Sequence, residues 1–132
     1  MDKEKRVVLV TGASSGIGLA CATHLAGRGY RVYGTSRRAG PGQAGPVAML
    51  VADVTDDHSV EQAVAAVLER EGRLDIVVNN AGMGIAGPVE NTSIEEAKRQ
   101  LEVNFFGAFR VCRAVLPNGF GNAVLAAIIN IK

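Results

Sequence analysis

Residues 11–18 read Thr11-Gly12-Ala13-Ser14-Ser15-Gly16-Ile17-Gly18, and what flanks them decides the fold. Before them, Arg6 to Val10 is a short apolar run, the pattern of a parallel strand buried on both faces. After them, Ile17, Ala20, Cys21, His24 and Leu25 predict a helix with these positions on one side, closing at Gly27 or Gly29. A strand-to-helix turn gathers unpaired backbone N–H groups at the positive end of the helix dipole, a ready anion site. Glycine permits the tight turn and the close approach of a pyrophosphate, and Ser14 and Ser15 add hydroxyl donors. A lone glycine pattern can be an ordinary turn; the strand before and the helix after give this one its weight.

Outward from the turn, Arg31 to Thr35 reads as a second strand and the Gly/Pro-rich stretch Ala39 to Pro46 as an exposed loop. Val47 to Ala52 is a third strand. From His58 to Glu71, Val60, Ala63, Val64, Val67 and Leu68 follow a helical spacing, with Glu61, Gln62, Glu69 and Arg70 on the opposite face. Leu74 to Asn79 reads as a fourth strand and Gly82 to Pro88 as a loop. Ser93 to Leu116 is helical, broken into a short and a long piece and ended by Pro117-Asn118-Gly119. Leu101, Phe105, Ala108, Cys112 and Val115 define its expected buried stripe, with Asn104 inside it. Ala126 to Ile131 is a fifth strand. Strands alternating with helices predict a doubly wound parallel sheet of the Rossmann type, strand order 3-2-1-4-5.

The totals fit one compact domain over residues 1–132. A net charge of +1 argues against general attraction to nucleic acid or an anionic membrane. It conceals an asymmetry: no acid lies between Glu4 and Asp53, where Lys5, Arg6, Arg28, Arg31, Arg37 and Arg38 fall. The two cysteines, Cys21 and Cys112, have no metal or redox spacing and read as reduced, buried thiols. No apolar run approaches the ~20 residues of a membrane span, and no signal-peptide core follows the charged start, so a cytoplasmic setting is expected.

The spacing Gly-x-x-x-Gly-x-Gly, together with Asn79-Asn80-Ala81-Gly82 at the end of the fourth strand, closely resembles the short-chain dehydrogenase/reductase family. The likeness runs from about Arg6 to Pro117. It implies cofactor contacts by Gly12, Ser14, Ser15, Gly16, Ile17 and Gly18. It further implies that Asp53 and Val54 contact adenine, Asp53 accepting from the exocyclic amine, although Asp53 also reads as a helix cap or turn residue. Asn80, Ala81 and Gly82 are implied to line the cofactor site. Asn104 is implied to be catalytic, fixing a helix bend and holding a water in a proton relay; a packing Asn bonded to its own helix is the other reading.

An NAD-preferring site carries Asp or Glu about 20 residues past the glycines to hold the ribose 2′-hydroxyl. Here the chain reads Ser36-Arg37-Arg38 after the second strand. A 2′-phosphate suits the planar donors of Arg37 and the hydroxyl of Ser36, which predicts NADP rather than NAD. A solvated basic loop is the plain alternative.

The family's chemistry also needs a Ser after the fifth strand and a Tyr-x-x-x-Lys pair, and neither is present: the tyrosines are Tyr30 and Tyr33. The expectation is therefore a truncated or altered chain, changed somewhere after Pro117, that binds NADPH without turning over a carbonyl or alcohol. A bare fifth-strand edge then predicts marginal stability and self-association. Gly82 to Pro88 and Asn104 to Gly107 look somewhat like hydroxysteroid and retinol dehydrogenases, with ketoacyl reductases as an open alternative. A non-catalytic NADP-binding module is the reading from another class. A flavodoxin-like or response-regulator domain is disfavoured because it gives no reason for Gly12, Gly16 and Gly18 together.

Overall fold

The computed structural model describes residues 5–38, 42–82, 87–119 and 127–130. Strands β1 (Val7–Val10), β2 (Arg31–Ser36), β3 (Gln43–Ala44), β4 (Val47–Val51), β5 (Ile76–Asn79) and β6 (Ala127–Asn130) form one sheet in the order β3-β4-β2-β1-β5-β6. All pairings are parallel except that of β3 with β4. Without β3 this is the expected 3-2-1-4-5 order. The stretch expected as loop before Pro46 thus pairs at Gln43–Ala44, turning back at Gly45 (φ +59°).

Helices α1 (Gly16–Gly27), α2 (Asp57–Glu71), α3 (Ile94–Leu101) and α4 (Gly107–Gly119) complete the chain. β1 shows why the sheet must be covered twice. Val7 and Leu9 face a core built with Val60, Val64 and Val67 of α2 and Val111 and Val115 of α4. Val8 and Val10 face Ala22 of α1, Val32 and Val47. The alternation is the period of a strand, and all four side chains are buried. Burying each contributes about 1.5–3 kcal/mol, so the strand that leads into the glycine turn is firmly anchored.

α2 follows its pattern. Val60, Ala63, Val64 and Val67 are buried, Asp56 caps the start by accepting from the N–H groups of His58 and Ser59, and left-handed Gly72 ends it. α1 departs from expectation: Ile17, Ala20 and His24 are exposed, while Gly18 and Ala22 are buried and Cys21, Leu25 and Ala26 pack beside them. The smallest residue, Gly18, seats against the turn, and that rotates the helix.

The long helical stretch departs for another reason. Between α3 and α4, Glu102–Phe106 form a π turn. One extra residue in a turn advances the phase of everything beyond it. Gly107, Val111 and Val115 are therefore buried, whereas Leu101 and Phe105 of the expected stripe are 55% and 60% exposed. α4 also runs through Pro117 to Gly119 rather than stopping before it; the helix goes only two residues beyond the proline, which lacks an N–H to continue the ladder. Cys21 and Cys112 are free and half-buried, not fully enclosed. Among the described residues no helix is long and apolar enough to cross a membrane. The expected loop lies partly outside the described residues, at 83–86, as does the connector at 120–126.

Candidate functional site

At the carboxyl ends of β1, β2, β4 and β5 lies a cavity of about 620 Å³. Its wall holds Gly12, Ser36, Arg37, Asp53, Val54, Ala81 and Gly82, seven of the residues singled out from sequence. Thr35, Ala52, Thr55, Arg99, Glu102 and Val103 complete it. In parallel sheets this end, where the strand order reverses, is where ligands sit.

The glycine turn is held in place before any ligand arrives. The Gly12 N–H donates to Thr35 Oγ1 at 3.3 Å and the Ala13 N–H to the Thr35 carbonyl at 2.9 Å. Gly12 has φ +65°, and a Cβ on it would come within 2.9 Å of Ala81 Cα. A Cβ on Gly18 would overlap the Gly12 carbonyl and the Asn80 side-chain amide. Ser14, Ser15, Gly16 and Ile17 then face solvent, off the cavity wall. Helix α1 starts there with no side-chain cap and no acid in its first turn. α2 is capped by Asp56, and α3 by the reciprocal Ser93–Glu96 box. The first turn of α1 is left to accept an anion.

On the β2 side, Ser36 Oγ accepts the Arg38 N–H at 3.4 Å, and Arg37 is exposed at the cavity's edge. Asp53 makes a turn of its own: Oδ1 accepts the Thr55 N–H at 2.9 Å and the Thr55 hydroxyl at 2.6 Å. Oδ2 has no hydrogen-bond partner among the described residues. Those Thr55 bonds, helped by the Arg37 and Arg110 charges, hold the Asp53 carboxyl below its ordinary pKa against the opposing effect of burial. It is an anionic acceptor.

Asn80 and Ala81 both donate their backbone N–H to Thr11 Oγ1, at 3.1 and 3.0 Å. Asn80 Nδ2 donates to the Gly12 carbonyl at 2.9 Å. Its Oδ1 is buried with no partner among the described residues, as is that of Asn79, whose Nδ2 meets Cys112 Sγ at 3.9 Å. Asn104 sits in the π turn, with Oδ1 2.8 Å from where a Gly82 Cβ would stand. It therefore adjoins the site from behind Gly82 without lining the cavity.

Arg110 ties these pieces together. Its Nε donates to Asp57 Oδ1 at 2.9 Å, and one terminal nitrogen pairs with Glu102 Oε2 at 2.5 Å and donates to the Val54 carbonyl at 3.3 Å. Thr11, Thr35, Arg99, Glu102 and Arg110 did not stand out in the sequence. Thr11 and Thr35 border residues that did, while nothing local marks the other three. Neither tyrosine reaches the cavity. Tyr33 donates its hydroxyl to Glu71 at 2.5 Å, and burial followed by that carboxylate raises its pKa. Among the described residues the wall holds no tyrosine, histidine, cysteine or lysine.

Comparison with known proteins agrees with this geometry. The family model for short chain dehydrogenase matches residues 6–132. The 3-ketodihydrosphingosine reductase of Bacteroides thetaiotaomicron is 47% identical over 114 residues, covering 86% of this chain and 42% of its own. Retinol dehydrogenase 8 of Homo sapiens is 41% identical over 132 residues, covering 89% and 41%. The solved structure of a 3-ketoacyl-(acyl-carrier-protein) reductase from Brucella melitensis complexed with NADH superposes with a TM-score of 0.79 at 32% identity. It spans 88% of this chain and 51% of that one. The chain thus spans about two fifths of the length of these two curated relatives. On the matched model, the shared sequence and the shared fold, this chain belongs to the short-chain dehydrogenase family.

Proposed function

We propose that this chain carries the NADP-binding part of an oxidoreductase that moves hydride between NADPH and a carbonyl or hydroxyl carbon of a small molecule. The observation that carries the reading is the end of β2. Where an NAD-preferring site keeps an acid for the 2′-hydroxyl, Ser36 and Arg37 stand on the cavity wall. The residues present fit a dinucleotide: a glycine turn packed too closely at Gly12 and Gly18 to admit a Cβ but open at Gly16, an uncapped helix start, and an unbonded carboxylate oxygen on Asp53.

In this reading the turn from Gly12 through Ser14, Ser15, Gly16, Ile17 and Gly18 holds the pyrophosphate. Ser36 and Arg37 take the 2′-phosphate, Asp53 and Val54 the adenine. Asn80, Ala81 and Gly82 flank the nicotinamide side, and Asn104 holds a water that passes a proton. The bound nicotinamide supplies or receives the hydride. The described wall holds no tyrosine, histidine, cysteine or lysine to protonate a carbonyl, so the described wall residues bind and orient rather than complete the chemistry. The same observation favours, as the second reading, a non-catalytic NADP-binding module. Turnover of any carbonyl by the purified chain would exclude that second reading.

Self-association belongs to the same proposal. β6 forms one edge of the sheet, and Leu101, Phe105, Phe109 and Leu116 present an exposed apolar stripe at 52–60% exposure. A second copy covers it, and a single monomeric species in sedimentation would count against this. The two free thiols favour a cytoplasmic setting. The cofactor reading is tested with Arg37→Asp: preference should turn from NADPH toward NADH, and retained NADPH preference would remove the 2′-phosphate site.

A further inference from the structure

Arg99 has neither of the usual reasons for an arginine on a helix. The acid one turn on, Glu102, is held by Arg110 at 2.5 Å, and Glu96, three residues back, is committed to the Ser93 N–H. Among the described residues the Arg99 guanidinium makes no ion pair. Nor does it complement a helix end, because α3 passes straight into the π turn, with the Glu102 N–H bonded back to the Arg99 carbonyl.

It does line the 620 Å³ cavity, and its neighbours on that wall have a particular character. Ala52, Val54 and Val103 are apolar, and Asp53 offers Oδ2 as an unbonded acceptor. An apolar wall beside an unbonded anionic acceptor fits a purine bearing an exocyclic amine. A guanidinium is planar, weakly hydrated for a cation, and stacks on aromatic faces.

We propose that Arg99 is an adenine-binding residue, laying its guanidinium on the face of the purine whose amine Asp53 accepts. This rests on the cofactor reading above and divides the labour of two arginines. Arg37 distinguishes the two cofactors through the phosphate, whereas Arg99 grips what they share. Because the Arg99 guanidinium makes no ion pair among the described residues, its replacement removes the contact and little else.

The test measures dissociation constants of NADPH, NADH and 5′-AMP for the full chain and for Arg99→Ala and Arg99→Lys, with melting temperatures alongside. Arg99→Ala should weaken all three ligands by one common factor, roughly three- to thirtyfold, at an unchanged melting temperature. Arg99→Lys, charged but not planar, should recover only part of that. A loss confined to NADPH would overturn the proposal by making Arg99 a phosphate ligand, and unaltered constants would overturn it outright. If the unaltered chain bound neither dinucleotide, the cofactor reading itself would fall, and this inference with it.

Discussion

The side-chain amide of Asn80 donates to the carbonyl of Gly12 at 2.9 Å, so the exit of β5 and the glycine turn after β1 are one unit. Thr11 doubles the link by accepting two consecutive N–H groups, from Asn80 and Ala81. Gly18 closes the unit from above, packed on both the Gly12 carbonyl and the Asn80 amide. The glycine turn is therefore built into the sheet, not carried on a loose loop.

Gly18→Ala should break that unit. The added methyl overlaps backbone and a buried amide that cannot move away, an overpacking cost of about 1–3 kcal/mol. Thermal unfolding should show a lower melting temperature together with lost NADPH binding. An unchanged melting temperature would show that the turn has slack the structure does not.

Thr11→Val keeps shape and removes the acceptor of two buried N–H groups. Each unpaired group costs about 1–3 kcal/mol. Urea denaturation should place Thr11→Val well below the parent and Thr11→Ser, which keeps the hydroxyl, close to it. Equal loss in both variants would mean the methyl group, not the hydroxyl, is what matters.

The sheet was legible because each strand is short, apolar and punctuated by glycine or a polar exit, and its order follows from right-handed crossovers. α2 was legible because its caps and stripe agree. The helix faces of α1 and α4 were not, since each depends on one tertiary fact. In α1 that fact is the seating of Gly18; in α4 it is the extra residue at Glu102–Phe106, which turns Leu101 and Phe105 outward. The site divides the same way. Gly12, Ser36, Arg37, Asp53, Val54, Ala81 and Gly82 sit at strand ends, so the topology alone gathers them. Arg99, Glu102 and Arg110 arrive on helices whose phase the sequence pattern misjudges.

Asp75 gives the fold a dependence on acid. Burial pushes its pKa up, but the Arg73 guanidinium and the Val7 N–H at 2.8 Å outweigh burial and hold it below the ordinary carboxylate value. A depressed folded pKa stabilises fully above the unfolded value, about 3.9, and that stability is lost as pH falls below it. Asp75→Asn should be less stable than the parent at pH 7, with the gap closing from about pH 4 downward. A gap independent of pH would assign the role to hydrogen bonding alone.

Arg110→Met should loosen the loop after Asp53. It strips the Val54 carbonyl, Asp57 and Glu102 of a shared partner whose side chain is 22% exposed. The expected cost is about 1–3 kcal/mol, with weaker binding of adenine-containing ligands. Unaltered stability and binding would reduce the three contacts to surface pairing.

Whether these residues form an NADP site is decided by calorimetric titration of NADPH and then NADH into the purified chain. Saturable binding of both, tighter for NADPH, is expected. A chain shown folded by circular dichroism that binds neither, or that prefers NADH, would contradict it.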